Sequence, residues 1–190
     1  MSAPKFGASG MKRASPVVSS INRGQSLDGF EREIVDLLPR LRRFARALAR
    51  DAADADDLAQ LTIERALGRR AQWRPGTRLD SWMFRIMKNA WIDESRARQR
   101  QGRVLAPPEA AEHVGDDGAG AQENRLAAME VQRAMGRLPE EQRLAVALVL
   151  VEGLSYGEAA QVLEVPPGTL ASRLARGREA LLADLEGARA

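Results

Sequence analysis

The sequence predicts an all-α chain made of two small helical domains joined by a flexible linker. Two observations carry that prediction. From Phe30 to Arg100, and again from Glu123 onward, apolar residues recur at three- and four-residue steps, which gathers them on one helix face. Between these stretches, Gly102, Pro107, Pro108, Gly115, Gly118 and Gly120 break any period. The expected division is a disordered extension over 1–29, a first domain over 30–100, a linker over 101–122 and a second domain over 123–186. With 190 residues, 44% of them hydrophobic, the chain can bury one moderate core or two small ones.

Composition removes several function classes. The chain has no Cys, which excludes disulfide scaffolds and thiolate metal sites and suits a reducing cytoplasm. Its single His, His113, lies in a Pro/Gly/Asp-rich stretch, which argues against a zinc site or a His-dependent triad. No metal or cofactor is expected. No apolar run approaches the ~20 residues that span a bilayer, so membrane insertion is not expected. The basic N-terminus lacks the apolar core of an export signal, and Met11 offers an alternative start. A net charge of +3, from 29 Lys+Arg against 26 Asp+Glu, is modest. Polyanion binding must therefore come from local clusters.

Taken in order, Phe30, Ile34, Leu37, Leu38, Leu41, Phe44, Ala45 and Leu48 predict the first helix. Pro39 is placed to kink or divide it. Arg40, Arg42, Arg43, Arg46 and Arg50 make its other side basic. Asp51, Asp54, Asp56 and Asp57 then cap and charge the start of a second helix, where the macrodipole favours anions. Leu58, Leu61 or Thr62, Arg65 and Ala66 continue it at helical spacing. Taken alone, four acids here mean a capped helix. The Trp73-Arg-Pro-Gly-Thr77 segment is a turn signal.

The most informative stretch is Leu79–Arg100, with no Pro or Gly inside it and Asp80 or Ser81 placed to cap its start. Trp82, Met83, Phe84, Ile86, Met87, Ala90 and Trp91 cover one broad side. Asn89, Asp93, Arg96 and Arg100 form a polar stripe along its edge. Arg85, Lys88, Arg96, Arg98, Arg100 and Arg103 supply cations against Asp93 and Glu94. Cations neutralise phosphates and aromatic faces stack on unpaired bases, so this mixture suits a nucleic acid. Most of the rings are nonetheless core, because buried aromatics at helical spacing are far commoner than base platforms. Asn89 and Asp93 need partners, which either internal hydrogen bonds or a captured base would supply.

In the linker, Glu109, Glu112, Asp116 and Asp117 add acidity that solvation of a disordered segment explains. Leu126, Met129, Val131 or Ala134, Met135 and Leu138 then predict a helix ended by Pro139, which opens the next, Glu140–Glu152. That helix turns Leu144, Ala147, Leu148 and Val151 inward and stops at Gly153. Ser155 and Glu158 form a capping box for a short helix to Leu163. Pro167 opens a last helix with Leu170, Leu174, Ala175, Leu181 and Leu182 inward. Two short helices, a tight turn and small Ala160 at the crossing predict a helix-turn-helix. Thr169, Ser172, Arg173 and Arg176 face outward toward base edges, while Arg178 suits a phosphate.

Three strings resemble one family. Trp82-x-x-x-Ile86-x-x-Asn89-x-x-x-Asp93-x-x-Arg96 resembles the promoter-melting helix of the small extracytoplasmic-function sigma factors of bacterial RNA polymerase. Asp54-Ala-Asp-Asp57-Leu-x-Gln60-x-Thr62-x-x-Arg65-Ala66 resembles their polymerase-docking surface. The run from Leu138-Pro139-x-x-x-Arg143 through Glu152-Gly-Leu-Ser-Tyr156-x-Glu158-x-Ala160 to Arg176 resembles the domain that reads the −35 element. The resemblance covers residues 30–183. Leu61 stands where an acid is common, Ile63 and Leu67 where aromatics are common, and Ala171 where a cation is common. Glu164 replaces the usual turn Gly, which costs about 1 kcal/mol in a left-handed backbone.

The resemblance implies an alternative sigma factor without catalytic residues. It would dock on core polymerase through Asp54, Asp57, Leu58, Gln60 and Arg65. Trp82, Arg85, Lys88, Asn89, Asp93, Arg96 and Arg100 would take the single-stranded −10 element, and Thr169, Ser172, Arg173, Arg176 and Arg178 the duplex −35 element. The family also implies an anti-sigma partner, and a linker that threads polymerase near the nascent RNA. Two other classes compete. A stand-alone helix-turn-helix repressor or activator would use only residues 123–183 and leave Trp82–Arg100 unexplained. An enzyme acting on nucleic acid finds no paired carboxylates at a recognisable spacing.

Overall fold

Seven α-helices, with a 3₁₀ turn and a π turn between them, make up the described part of the chain. The structure, a computed structural model, describes residues 28–49, 51–100 and 119–187. The expected extension over 1–27 and the linker over 101–118 lie outside those residues.

Helix α1 (Gly29–Leu48) starts at Asp28, whose carboxylate accepts the Glu31 N–H at 3.0 Å while Glu31 accepts the Asp28 N–H in return. Such a reciprocal cap satisfies two donors that a first turn leaves open. Pro39 does not divide the helix. The carbonyl it leaves without a donor is that of exposed Val35, which water can serve. Phe30, Ile34, Leu41, Phe44, Ala45 and Leu48 are buried, and Leu37 and Leu38 are half-buried.

Helix α2 (Ala52–Gly68) is capped by Asp51, which accepts the Asp54 N–H at 2.8 Å. After the 3₁₀ turn at Arg70–Gln72, Gly76 at φ 86° turns the chain into α3 (Leu79–Arg100). Helix α3 begins one residue before the expected caps, so Asp80 lies inside its first turn. There it accepts the Ser81 N–H at 2.7 Å. Trp73, expected only as part of a turn, packs on Phe30 with ring centroids 5.0 Å apart.

Helix α4 (Ala119–Arg137) starts four residues earlier than Glu123, running through Gly120. Only Ala134, Met135 and Leu138 of its expected face are buried; Leu126 and Val131 are exposed. Helix α5 is α-helical only over Glu140–Val146, and the chain then widens into a π turn, Ala147–Val151. Glu152 N–H donates five residues back to Ala147 O at 3.0 Å, and Gly153, at φ 69°, ends the helix as expected. Helices α6 (Tyr156–Leu163) and α7 (Pro167–Gly187) follow. On α7, Leu170 and Leu174 are buried, but Ala175 and Leu182 face out. The inward position is Gly177 instead: an added Cβ would sit 2.8 Å from Val146 Cγ2, so α7 presses directly on α5.

Helices α1–α3 and α4–α7 pack against each other over one continuous buried cluster. Arg143, 7% exposed, joins the groups. It donates to Leu48 O at 3.0 Å, Gly136 O at 2.6 Å and Leu138 O at 3.1 Å, and its guanidinium lies 5.6 Å from the Trp91 ring. These carbonyls sit at the ends of α1 and α4, where no helical donor reaches them. One cation thus closes two helix C-termini, where the dipole favours positive charge.

Candidate nucleic-acid interface

Helix α3 divides as its periodicity requires. Met83, Phe84, Met87, Ala90 and Trp91 are in the core, and Trp82 is half-buried with its ring 6.3 Å from Phe30. Asn89, Asp93, Arg96, Arg100 and Arg85 are exposed. Asp93 pairs with Arg65 at 3.6 Å. No side-chain hydrogen bond joins Asn89 to another described residue, and none joins it to Asp93. The internal partnership that would make Asn89 a structural residue is thus not formed.

Lys88 departs from the expected open stripe. It is 5% exposed, and its ammonium donates to Glu164 at 2.9 Å. Arg85 donates to the Gln161 carbonyl at 3.1 Å. Both contacts come from the end of α6, where sequence spacing gave no sign of a neighbour.

In the helix-turn-helix, Ser155 caps α6 with Glu158 reaching back to its N–H at 2.8 Å. Glu164 forms the turn in the left-handed region, at φ 59° and ψ 42°. The strain expected from a non-glycine residue there is present. Ser172, Arg176 and Arg178 are exposed on α7, and Thr169 is half-buried near its start. Arg173, expected to face outward, is instead half-buried and paired with Glu141 of α5 at 2.8 Å, because its long side chain folds back across the neighbouring helix, and Arg176 donates to Ser172 O at 3.2 Å. The helix thus offers the Ser172 hydroxyl and the Arg176 and Arg178 guanidiniums to solvent within about three turns of its Pro-initiated end.

The expected docking residues separate into two sets. Asp57 and Gln60 are exposed, and Gln60 donates to Glu64 at 3.0 Å. Beside them a groove of about 650 Å³ runs between α1 and α2, lined by Leu38, Arg42, Arg46, Asp56, Gln60 and Ile63. Leu58 is 2% exposed and packs in the core, so it supports the surface from beneath rather than meeting a partner. Asp54 is occupied by Arg98 at 2.7 Å.

Sequence reasoning missed an ionic network at the join between the helix groups. The Glu152 side chain is fully buried and accepts from Arg40 at 3.2 Å and Arg43 at 2.9 Å. Arg40 also reaches Asp80 at 2.8 Å, and Arg78 pairs with both Asp80 and Glu158. Burial opposes the charged form of Asp80, but hydrogen bonds from Arg78, Arg40 and the Ser81 N–H outweigh it. They hold its carboxyl well below the ordinary carboxylate range. A basic helix face and scattered acids were the only traces of this network in the sequence.

The model for sigma-70 region 4 matches residues 128–181, and the model for the sigma2 domain of PhyR matches residues 34–88. The chain is 35% identical over 156 residues to the ECF RNA polymerase sigma factor EcfG of Rhodopseudomonas palustris, covering 82% of this chain and 84% of that one. It is 39% identical over 141 residues to SigM of Mycobacterium tuberculosis strain H37Rv, covering 74% and 69%. Among solved structures, the sigma factor RpoE in complex with the anti-sigma factor NepR from Bartonella quintana superposes with a TM-score of 0.73 at 29% identity. That match covers 84% of this chain and 98% of RpoE. With matched models on both helix groups and relatives aligned across them, the chain belongs to the ECF sigma factors of RNA polymerase.

Proposed function

We propose that this chain is an alternative sigma factor that binds core RNA polymerase, recognises the −35 and −10 promoter elements and promotes opening of the duplex. The observation that carries the reading is the presence, on one chain, of two exposed polar helix faces of different character. Helix α7 offers Ser172, Arg176 and Arg178 from a helix-turn-helix, a geometry suited to a duplex major groove. Helix α3 offers Asn89, Arg96 and Arg100 beside an aromatic core, which suits an unstacked strand. A stand-alone repressor would leave the second face, and the matched sigma2 segment over 34–88, without a use.

In this reading residues 30–100 form the polymerase-docking and −10 domain, and residues 123–186 the −35 domain. The chain contributes no catalytic group; polymerisation belongs to the polymerase, and the site of action is the cytoplasm. No described helix is long and apolar enough to cross a membrane. An anti-sigma factor is the expected regulator, as RpoE is bound by NepR.

Two outcomes test the assignments. Arg173→Ala and Arg176→Ala should each weaken transcription from the cognate promoter without loss of polymerase binding, since a bidentate base contact is worth about 1–3 kcal/mol of discrimination. Unchanged promoter activity in both would remove α7 from base reading. Asp57→Arg should weaken holoenzyme assembly by reversing an interfacial charge. Normal pull-down of core polymerase by this variant, with an unaltered circular dichroism spectrum, would reduce α2 to a capped scaffold.

A further inference from the structure

Helix α7 meets α5 along a seam set by Gly177, where an added Cβ would lie 2.8 Å from Val146 Cγ2 and 3.3 Å from Gln142 Cβ. Arg173 stands one helical turn before Gly177 and therefore on the same side of α7. Its side chain runs along the seam and pairs with Glu141, on the first turn of α5, at 2.8 Å. The surface of α7 thus carries arginines of two kinds. Arg176 and Arg178 are exposed and have no carboxylate partner among the described residues, whereas Arg173 is held on an anion at the edge of the helix-turn-helix. Only the Arg173 Nη2 is engaged by Glu141, which leaves the other donors of the guanidinium fork for a base edge. An unpaired guanidinium on a flexible stem settles on phosphates, which carry no sequence information. One that is neutralised and held in place presents its remaining donors in a single direction. Glu141 also suits the α5 dipole as a first-turn anion, but Glu140 shares that position, and the dipole asks nothing of Arg173.

We infer that Glu141 is a specificity-determining residue for the −35 element: it pins the Arg173 guanidinium on the α5–α7 seam, so that Arg173 meets the duplex as an oriented base reader and not as a phosphate-seeking cation. The inference rests on the proposed use of α7 at the −35 element. Glu141 is a positioning residue that acts through Arg173. Its charge also offsets that of Arg173, so random duplex is held less tightly. Loss of the anion therefore moves affinity and discrimination in opposite directions, which loss of a merely structural contact would not do.

The test uses holoenzyme assembled from core polymerase and the full chain. It is incubated with promoter duplexes randomised over the upstream element, and the retained sequences are read. Affinity for a random-sequence duplex is measured on the same holoenzymes as salt is raised. The Glu141 side chain is 66% exposed, so replacing it leaves the core undisturbed. Glu141→Gln should lower enrichment of the cognate element about five- to tenfold, the lower end of one bidentate base contact. It should also tighten binding to random duplex and steepen the logarithmic salt dependence by about one, the mark of one further phosphate neutralised. Glu141→Asp keeps the anion and should keep most of the discrimination. In an Arg173→Ala background, Glu141→Gln should change neither enrichment nor salt slope. Enrichment and slope unchanged by Glu141→Gln in the otherwise unmodified chain overturn the inference, and a lowered thermal midpoint alone would return Glu141 to the start of α5. Equal effects of Glu141→Gln with and without Arg173 also overturn it, because the carboxylate would then act on DNA directly. Failure of the unmodified holoenzyme to enrich any upstream element would instead remove the −35 reading of α7, and the inference with it.

Discussion

Arg143→Ala is expected to lower the stability of the folded chain by about 3–4 kcal/mol, the scale of leaving several buried acceptors without a donor. Three carbonyls, of Leu48, Gly136 and Leu138, would lose their guanidinium donor, and the Trp91 face would lose its cation. Arg143→Lys keeps the charge but not the planar fork, so it should recover less than half of the loss. The midpoint of urea unfolding measures this. A shift with an unchanged slope reports stability rather than a change in the unfolded chain. A loss below about 1 kcal/mol for the alanine variant would show that other donors or water serve those carbonyls.

Asn89→Ala is expected to behave in the opposite way. The Asn89 side chain is exposed and bonds to no other described residue, so its truncation should change stability by less than about 0.5 kcal/mol. A displaced base that loses its amide partner should cost about 1–3 kcal/mol of discrimination at that promoter position. Reaching a protein pocket requires the base to leave its stack, so the effect belongs to the opened −10 strand rather than to the duplex. Permanganate footprinting of unpaired thymines, run beside a thermal melt, separates the outcomes. A variant that opens promoter DNA normally but unfolds early would return Asn89 to the fold.

These two residues mark what could be read from sequence. The core face of α3 was legible because six large apolar residues and Ala90 repeat at helical spacing inside a stretch free of Gly and Pro. The caps at Asp51 and Ser155 were legible because a short polar side chain before an apolar run leaves little alternative. Asp28 was not singled out, since it lies in a stretch without a period. Arg143 appeared only within a family string. Its role depends on α4 and α1 ending within reach of one guanidinium, which no local pattern encodes. The burial of Lys88 was hidden for the same reason: 76 residues separate it from Glu164. Nor did the apolar period announce the π turn after Val146, which ends at the buried carboxylate of Glu152. Leu58 shows the converse error, where a motif position was read as surface although its spacing already placed it with the core. Long-range ion pairs and helix-end contacts are properties of the assembled fold, and single-helix periodicity does not carry them.

This chain gives core RNA polymerase its choice of promoter, a function open to direct test. Its direct test is transcription of a fragmented genomic library by purified core polymerase with and without the full chain, with the 5′ ends of the transcripts mapped. The expected result is a set of start points that appears only with the chain, each preceded by the same two spaced sequence elements, and that is lost with Asp57→Arg. Identical start points in both reactions, together with tight binding of the chain to duplex DNA in the absence of polymerase, would contradict it.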